Sequence, residues 1–236
     1  MRIESSRTLV ILVEIGDRRS RTKYTLPRLT GWTRRHSYDL VLWRRNELTR
    51  DLIPHFNKLL AATSFPGYDR YVIVDDDVLV SSTAPALPEV PAGHVGLARD
   101  PQQANTSAAH VEWTGNSGFV IFDHTALPLI KQALDGGEVD GIWPGGDQAA
   151  VNDVFWRAKK VFELDQRWNY QPIPSYFLQH GGWESWKSNR LKRLSYFATA
   201  ALSFPTASVK ASRGAFALHL TFVQPKQYSI FDRLLS

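Results

Sequence analysis

The stretch "RYVIVDDDVLV", Arg70 to Val80, constrains this chain more than any other. Tyr71 to Val74 are apolar and mostly β-branched, the composition of a buried strand. That strand runs straight into three carboxylates, Asp75, Asp76 and Asp77. Like charges at the end of a buried strand need a counter-charge. None is available locally, because no Lys or Arg occurs between Tyr71 and Ala98. Side chains alternate along an extended backbone, so Asp75 and Asp77 are expected on one side and Asp76 on the other. Two carboxylates on one face point to a hard divalent cation, Mn²⁺ or Mg²⁺, which typically bridges them to substrate phosphates. The other reading is an acidic turn in water.

The flanking sequence favours the cation. "TLVILVEI" reads as a strand, and "YTLPRLTGWTRRH" as a helix with Leu26, Leu29 and Trp32 at helical spacing. "YDLVLW" reads as a second strand. "DLIPHFNKLLAAT" reads as a helix, with Pro54 near its start and Phe56, Leu59 and Leu60 on one face. Strands alternating with helices imply a parallel sheet of βαβ units. Ligands bind such sheets at the carboxyl ends of the strands, where Asp75 to Asp77 stand. Further on, 81–105 is rich in Pro and Ala and reads as loops. "SGFVIFD" then reads as a strand, "ALPLIKQAL" as a helix, and "GGDQAAVNDVFWRA" as a glycine turn entering a helix.

A chain of 236 residues with no internal repeat or linker predicts one domain. The absence of Cys excludes disulfides and thiolate metal sites. No apolar run is long enough to cross a bilayer. The apolar stretch Leu9 to Val13 is broken by Glu14 and has no small-residue cleavage site, so it is expected as a first strand rather than a signal peptide. A cytoplasmic protein is the corresponding expectation. The net charge of +5 fits either an Arg-rich solvated surface or an anionic partner. No nucleic-acid-binding motif is present, so nucleotide phosphates or an acidic membrane are the expected anions.

Several short motifs follow in order. "HFNKLLA" precedes the D-x-D, "GNSGFVIF" places Asn116 and Ser117 before a strand, and "GGDQAAVN" places Asp147 and Gln148 at a helix start. "LDQRWNYQP" comes next, and "ALHLTFVQPK" ends the series with His219 and Lys226. In order and spacing this set resembles the retaining glycosyltransferases typified by glycogenin and the bacterial lipopolysaccharide galactosyltransferases. The landmarks span Lys58 to Lys226, most of the chain.

The resemblance implies an α/β, Rossmann-like GT-A fold with a mostly parallel central sheet flanked by helices. It implies a single domain over 1–236, with a nucleotide-binding half at 1–80 and an acceptor-binding half at 81–236. Asp75, Asp77 and His219 would bind Mn²⁺ (or Mg²⁺), which holds the diphosphate of a nucleotide-sugar donor, a UDP-sugar by family. Lys58, Asp76, Asn116 and Ser117 would serve the donor, and Lys226 the departing phosphate. Asp147 and Gln148 would stand beside the anomeric carbon. Each residue also has a plainer reading. Lys58 fits a solvated lysine on an amphipathic helix, and Asn116 a turn residue. Asp147 fits a helix N-cap, and His219 in "FALHL" a satisfied core histidine. Two family features differ here: no glycine follows at the family's place after His219, and the proline precedes Lys226. Near the first strand, Tyr24 is placed to stack on a base, and Arg18 or Arg21 to supply charge.

The implied activity is metal-dependent transfer of a sugar to a glycan or lipid-linked acceptor, with retention, in cell-surface polysaccharide or lipopolysaccharide assembly. Retention needs a carboxylate nucleophile or front-face attack. Asp147 suits the first, while the amide of Gln148 suits positioning. The rivals are an inverting GT-A transferase, a non-catalytic GT-A domain that binds a nucleotide-sugar or glycan, and a nucleotidyltransferase. Residues 183–204 interleave Lys187, Arg190, Lys192 and Arg193 with Trp183, Trp186, Tyr196 and Phe197. That pattern suits peripheral contact with the inner face of the plasma membrane, or a packed helix with a solvated basic turn.

Overall fold

The computed structural model describes residues 7–49, 51–101, 106–179, 212–221 and 223–235. The basic aromatic segment 183–204 lies outside the described residues.

A six-stranded sheet has the order β2-β1-β3-β6-β5-β7. Its strands are β1 (Thr8–Val13), β2 (Asp39–Trp43), β3 (Arg70–Asp75), β5 (Val95–Arg99), β6 (Gly115–Asp123) and β7 (Val161–Glu163). β1 pairs in parallel with β2 and β3, and β5 with β7. β6 is antiparallel to both β3 and β5, so the sheet is mostly parallel with one reversed strand. β5 falls inside the stretch 81–105 that reads as loop in sequence. Its core, Val95–Ala98, is only four residues long and includes Gly96, too little alternation to signal a strand on its own.

All six residues of β1 are buried, as expected of a strand covered on both faces. One face carries Leu9, Ile11, Tyr71 and Ile73 against Phe56, Leu59, Ile130 and Phe155. These last four come from the short 3₁₀ turn Pro54–Phe56 and from helices α2 (Asn57–Thr63), α3 (Leu127–Gly136) and α4 (Gly146–Arg157). The other face carries Val10, Leu12, Val72 and Val74 against Leu29 and Trp32 of α1 (Arg19–Arg35) and Trp168. The period-2 sorting of β1 and β3 residues into two cores is the alternation of an extended chain. Leu29 and Trp32 are the buried face that the helical spacing predicts.

A small second sheet pairs β4 (Val78–Val80) antiparallel with β8 (Ala217–His219). Two more helices follow in the described residues, α5 (Pro172–Gln179) and α6 (Tyr228–Leu234). No described helix is long and apolar enough to cross a membrane.

Candidate active site

The topology brings the chemistry to one sheet edge. β1 and β3 end together at Val13 and Asp75. Because β6 runs the other way, its beginning, Gly115 to Ser117, lies at that edge too. Asn116 and Ser117 are therefore inside a strand, not before it, and Asn116 is not a turn residue. A cleft of about 330 Å³ opens there, with Asp75, Asp76 and Asp77 at its floor. Arg18 and Arg21 line it from the start of α1, and His55 and Lys58 from the Pro54–Phe56 turn and α2.

The counter-charge missing from the local sequence comes from these two helical segments. Lys58 is buried, not solvated, and its Nζ lies 2.7 Å from Asp75 Oδ1 and 3.0 Å from Asp147 Oδ2. It also donates to Ser117 O and Oγ, each at 3.4 Å. Arg18 Nε stands 3.5 Å from Asp76 Oδ2. Arg21 Nη1 reaches both Asp76 Oδ1 at 3.3 Å and Asp77 Oδ2 at 3.2 Å. The expected alternation of the three carboxylates holds only in part. β3 stops at Asp75, and Asp76 and Asp77 form the turn into β4, so one arginine can touch both.

That turn also places His219. β4 leaves directly from Asp77, and Val78 pairs with His219 of β8. His219 Nε2 lies 3.2 Å from Asp77 Oδ1. Its Nδ1 faces Asn116 Oδ1 at 3.1 Å and Asn169 Oδ1 at 3.0 Å. Asn116 is oriented by its own partners: Oδ1 accepts from the Gly118 N–H, and Nδ2 donates to Asp100 Oδ2. Asn169 Nδ2 donates to Asn116 Oδ1 at 2.7 Å, which turns its own oxygen to the imidazole. Two acceptors at Nδ1 put the proton there and leave Nε2 to face Asp77. The ring needs Gly118, since a Cβ at that position would stand 2.3 Å from His219 Cε1.

On α4 the N-cap is Gly145, and Asp147 caps nothing with its side chain. The N-cap reading of Asp147 therefore fails: its carboxylate is buried, pairs with Lys58, and faces His55 Nδ1 at 3.7 Å. Gln148 Nε2 donates to Asp100 Oδ2 at 2.9 Å, and its Oε1 accepts from the Ser117 N–H at 3.1 Å. Asn152 grips the Gly115 backbone through both its N–H and its C=O. The helix start is thereby tied to the start of β6.

Sequence reasoning did not single out Asp100, Asn169 or His55. Asp100 ends "VGLARD" much as Asp75 ends "YVIVD", and that parallel was the available signal. Asn169 lies in the "WNY" stretch, whose polar residue among aromatics hinted at a buried amide. Nothing local marks His55. Lys226 is not drawn into this cluster: it is exposed on the turn Pro225–Gln227. Tyr24 packs on Tyr228, ring centroids 6.1 Å apart.

The charges are mutually tuned. Burial opposes the Lys58 ammonium, but Asp147 and Asp75 outweigh it and raise its pKa. Burial and the neighbouring Asp77 push Asp76 up to about 6, against the pull of Arg18 and Arg21. Burial works against ionisation of both Asp77 and His219, yet each holds the other charged: Asp77 is lowered and His219 raised.

Ligand atoms of Asp75, Asp77 and His219 all lie within 4.8 Å of one another. Two carboxylate oxygens and an imidazole nitrogen, with the imidazole's other nitrogen held by amide oxygens, form a donor set that fits Mn²⁺ or Mg²⁺.

No protein-family model matches the chain. No curated protein matches it either. Solved structures do. A glycosyltransferase involved in glycosylating the major capsid of PBCV-1 superposes with a TM-score of 0.60 at 14% identity, covering 97% of this chain and 98% of that one. The glycosyltransferase GlyE of Streptococcus pneumoniae TIGR4 gives 0.59 at 12% identity, over 98% of this chain and 62% of that one. The galactosyltransferase LgtC, in complex with donor and acceptor sugar analogs, gives 0.56 at 12% identity over 95% of both chains. At such identities the likeness is one of architecture. The chain has the GT-A fold of these glycosyltransferases, a mostly parallel sheet between helical layers; in this chain an acidic cluster lies at the carboxyl ends of the strands.

Proposed function

We propose that the chain is a divalent-metal-dependent glycosyltransferase. It moves a sugar from a nucleoside-diphosphate donor, a UDP-sugar, to a glycan or lipid-linked acceptor, with retention. The observation that carries this reading is the Asp75–Asp77–His219 cluster, set beside two arginines and the Lys58–Asp147 pair in one cleft. The galactosyltransferase and capsid glycosyltransferase folds support it.

Each group has a task that its chemistry suits. Asp75, Asp77 and His219 would hold Mn²⁺ or Mg²⁺, which supplies Lewis-acid stabilisation of the charge that grows on a departing diphosphate. Arg18 and Arg21 offer a further positive wall for phosphate oxygens. Lys58 fixes Asp147 and neutralises it, so the carboxylate is held still where the sugar would react. Gln148 and Asn116, both anchored on Asp100, present a rigid polar surface for sugar hydroxyls. Lys226, exposed on the turn Pro225–Gln227, would serve the departing phosphate. Cell-surface glycan assembly at the cytoplasmic face of the membrane is the setting we infer from the resemblance to the lipopolysaccharide galactosyltransferases, with the basic and aromatic sequence of 183–204 suiting membrane contact.

The test is a panel of nucleotide-sugars with Mn²⁺, scored by donor hydrolysis and by thermal shift. Metal-dependent hydrolysis of one donor supports an enzyme; binding without turnover indicates a nucleotide-sugar-binding domain. No stabilisation by any nucleotide-sugar or nucleoside diphosphate refutes the reading.

A further inference from the structure

Ile53, Pro54 and His55 form an exposed rim segment, of which Pro54 and His55 line the cleft. Ile53 is 41% exposed, and the His55 side chain is 61% exposed. The segment runs directly into the core. Phe56, next in the same turn, is fully buried in the core. Ile53 Cδ1 lies 2.9 Å from where a Cβ of Gly146 would stand, and Gly146 has a φ of +60°. The left-handed backbone at Gly146 favours glycine.

The rim brings His55 to Asp147. The two oxygens of Asp147 are divided between two neighbours, Oδ2 to Lys58 at 3.0 Å and Oδ1 to His55 Nδ1 at 3.7 Å. An Nδ1–H turned toward the carboxylate leaves the Nε2 lone pair free on an exposed ring that lines the cleft. The other ionisable groups of the cleft wall are committed. Lys58, Arg18 and Arg21 are cations, Asp75 and Asp77 belong to the metal group, and Asp76 is clasped by both arginines. His55 is the exposed imidazole of the cleft lining, and its Nδ1 stands 3.7 Å from the buried Asp147 carboxylate.

We propose that His55 is the acceptor-side base of this cleft, with Asp147 beside its Nδ1 and Pro54 as an apolar shelf for one face of the acceptor sugar. The inference rests on the glycosyltransferase reading. In the step it describes, the bond between the anomeric carbon and the diphosphate oxygen breaks, and its electron pair leaves with the diphosphate. The acceptor hydroxyl oxygen forms the new bond to that carbon. Its proton passes to His55 Nε2 and from there to water.

The experiment uses transfer to water from whichever donor the nucleotide-sugar panel identifies, with Mn²⁺, since water in the acceptor's place gives up its proton to the same nitrogen. Calorimetry of UDP with Mn²⁺ runs in parallel. His55→Gln keeps a polar side chain without a base, so kcat falls by about 10²-fold or more, while UDP affinity and thermal midpoint stay near wild type. His55→Ala loses the same activity, and added imidazole restores much of it. Undiminished kcat in His55→Gln overturns the proposal. A loss that imidazole does not restore, or one accompanied by lost UDP binding, also overturns it, because His55 would then be structural. If the wild-type chain binds no nucleoside diphosphate with Mn²⁺, the glycosyltransferase reading itself fails, and that outcome is separate from the others.

Discussion

Lys58 Nζ and Asp147 Oδ2 stand 3.0 Å apart with both side chains buried, which ties α2 to the first turn of α4 beside the cleft. The same ammonium also holds Asp75. Removing it would leave two carboxylates unpaired, a situation that costs about 3–5 kcal/mol for a buried pair. Lys58→Met should therefore lower the urea midpoint markedly. Mn²⁺ should recover more of that loss in the variant than it adds to the wild type, because an ion beside Asp75 replaces part of the missing charge. Equal shifts with and without Mn²⁺ would show that Lys58 and the metal do not share a field.

The metal group gives a second prediction. Asp77→Asn keeps the shape of the side chain but removes a charged ligand. The variant should stay folded, by circular dichroism, and lose Mn²⁺ binding in calorimetry. Donor hydrolysis by the wild type should vanish in EDTA and return with Mn²⁺. Full activity of Asp77→Asn in EDTA would exclude a metal at this cluster.

The Asp77–His219 pair fixes a pH dependence. Asp77 is lowered from 3.8 and His219 is raised from 6.5. A lowered carboxylate contributes stability that is present above its unfolded pKa and is lost as pH falls through the folded value. A raised imidazole contributes stability that is complete below its unfolded pKa and is lost as pH rises through the folded value. The pair is thus worth most between about pH 4 and about pH 6.5. Urea midpoints in EDTA should decline from about pH 6 to about pH 9 in the wild type, and His219→Gln should flatten that decline.

How much of this was legible in the sequence depends on whether the signal was local. β1, β3, α1 and the glycine turn before α4 announce themselves by composition and period, although α1 starts at Arg19, five residues before the stretch from Tyr24 that reads as helix. β5 does not, because a short strand containing glycine resembles loop. The metal group was legible because Asp75 and Asp77 share one motif, with His219 supplied by resemblance. The rest depends on distant pairings. Arg21 meets Asp77 only because α1 begins where β3 ends, and Asp100 meets Gln148 only because β5 lies beside the reversed β6. No window of sequence contains those contacts. Nor could it reveal that Asp147 is free of capping duty, since Gly145 occupies that position.

Gly118 offers a test of that distant architecture with a single methyl group. A Cβ there would stand 2.3 Å from His219 Cε1 and 2.9 Å from Asn116 Oδ1. Gly118 is mid-strand, so the ring must move if alanine is introduced. Gly118→Ala should weaken Mn²⁺ binding by about tenfold or more, the range seen when the surroundings of a metal ligand are disturbed. Affinity for Mn²⁺ measured by calorimetry is the readout. Unchanged affinity would show that His219 does not ligate the ion.

The stereochemical outcome turns on Asp147. Its carboxylate is buried and paired with Lys58, and His55 Nδ1 lies 3.7 Å from its other oxygen. On the proposed reading, a carboxylate so placed would stabilise positive charge developing at the anomeric carbon or act as a transient nucleophile. In either role its work is done in the transition state. Asp147→Asn should therefore cut kcat by about 10²-fold or more, while UDP affinity with Mn²⁺ stays within a few-fold. The same reading requires an α-linked donor to give an α-linked product, which NMR of the anomeric proton reports directly. A β-linked product would establish inversion. The acceptor would then attack from the face opposite the diphosphate, and Asp147 could serve only as a charge-stabilising residue, since a glycosyl-enzyme on it would have led to retention.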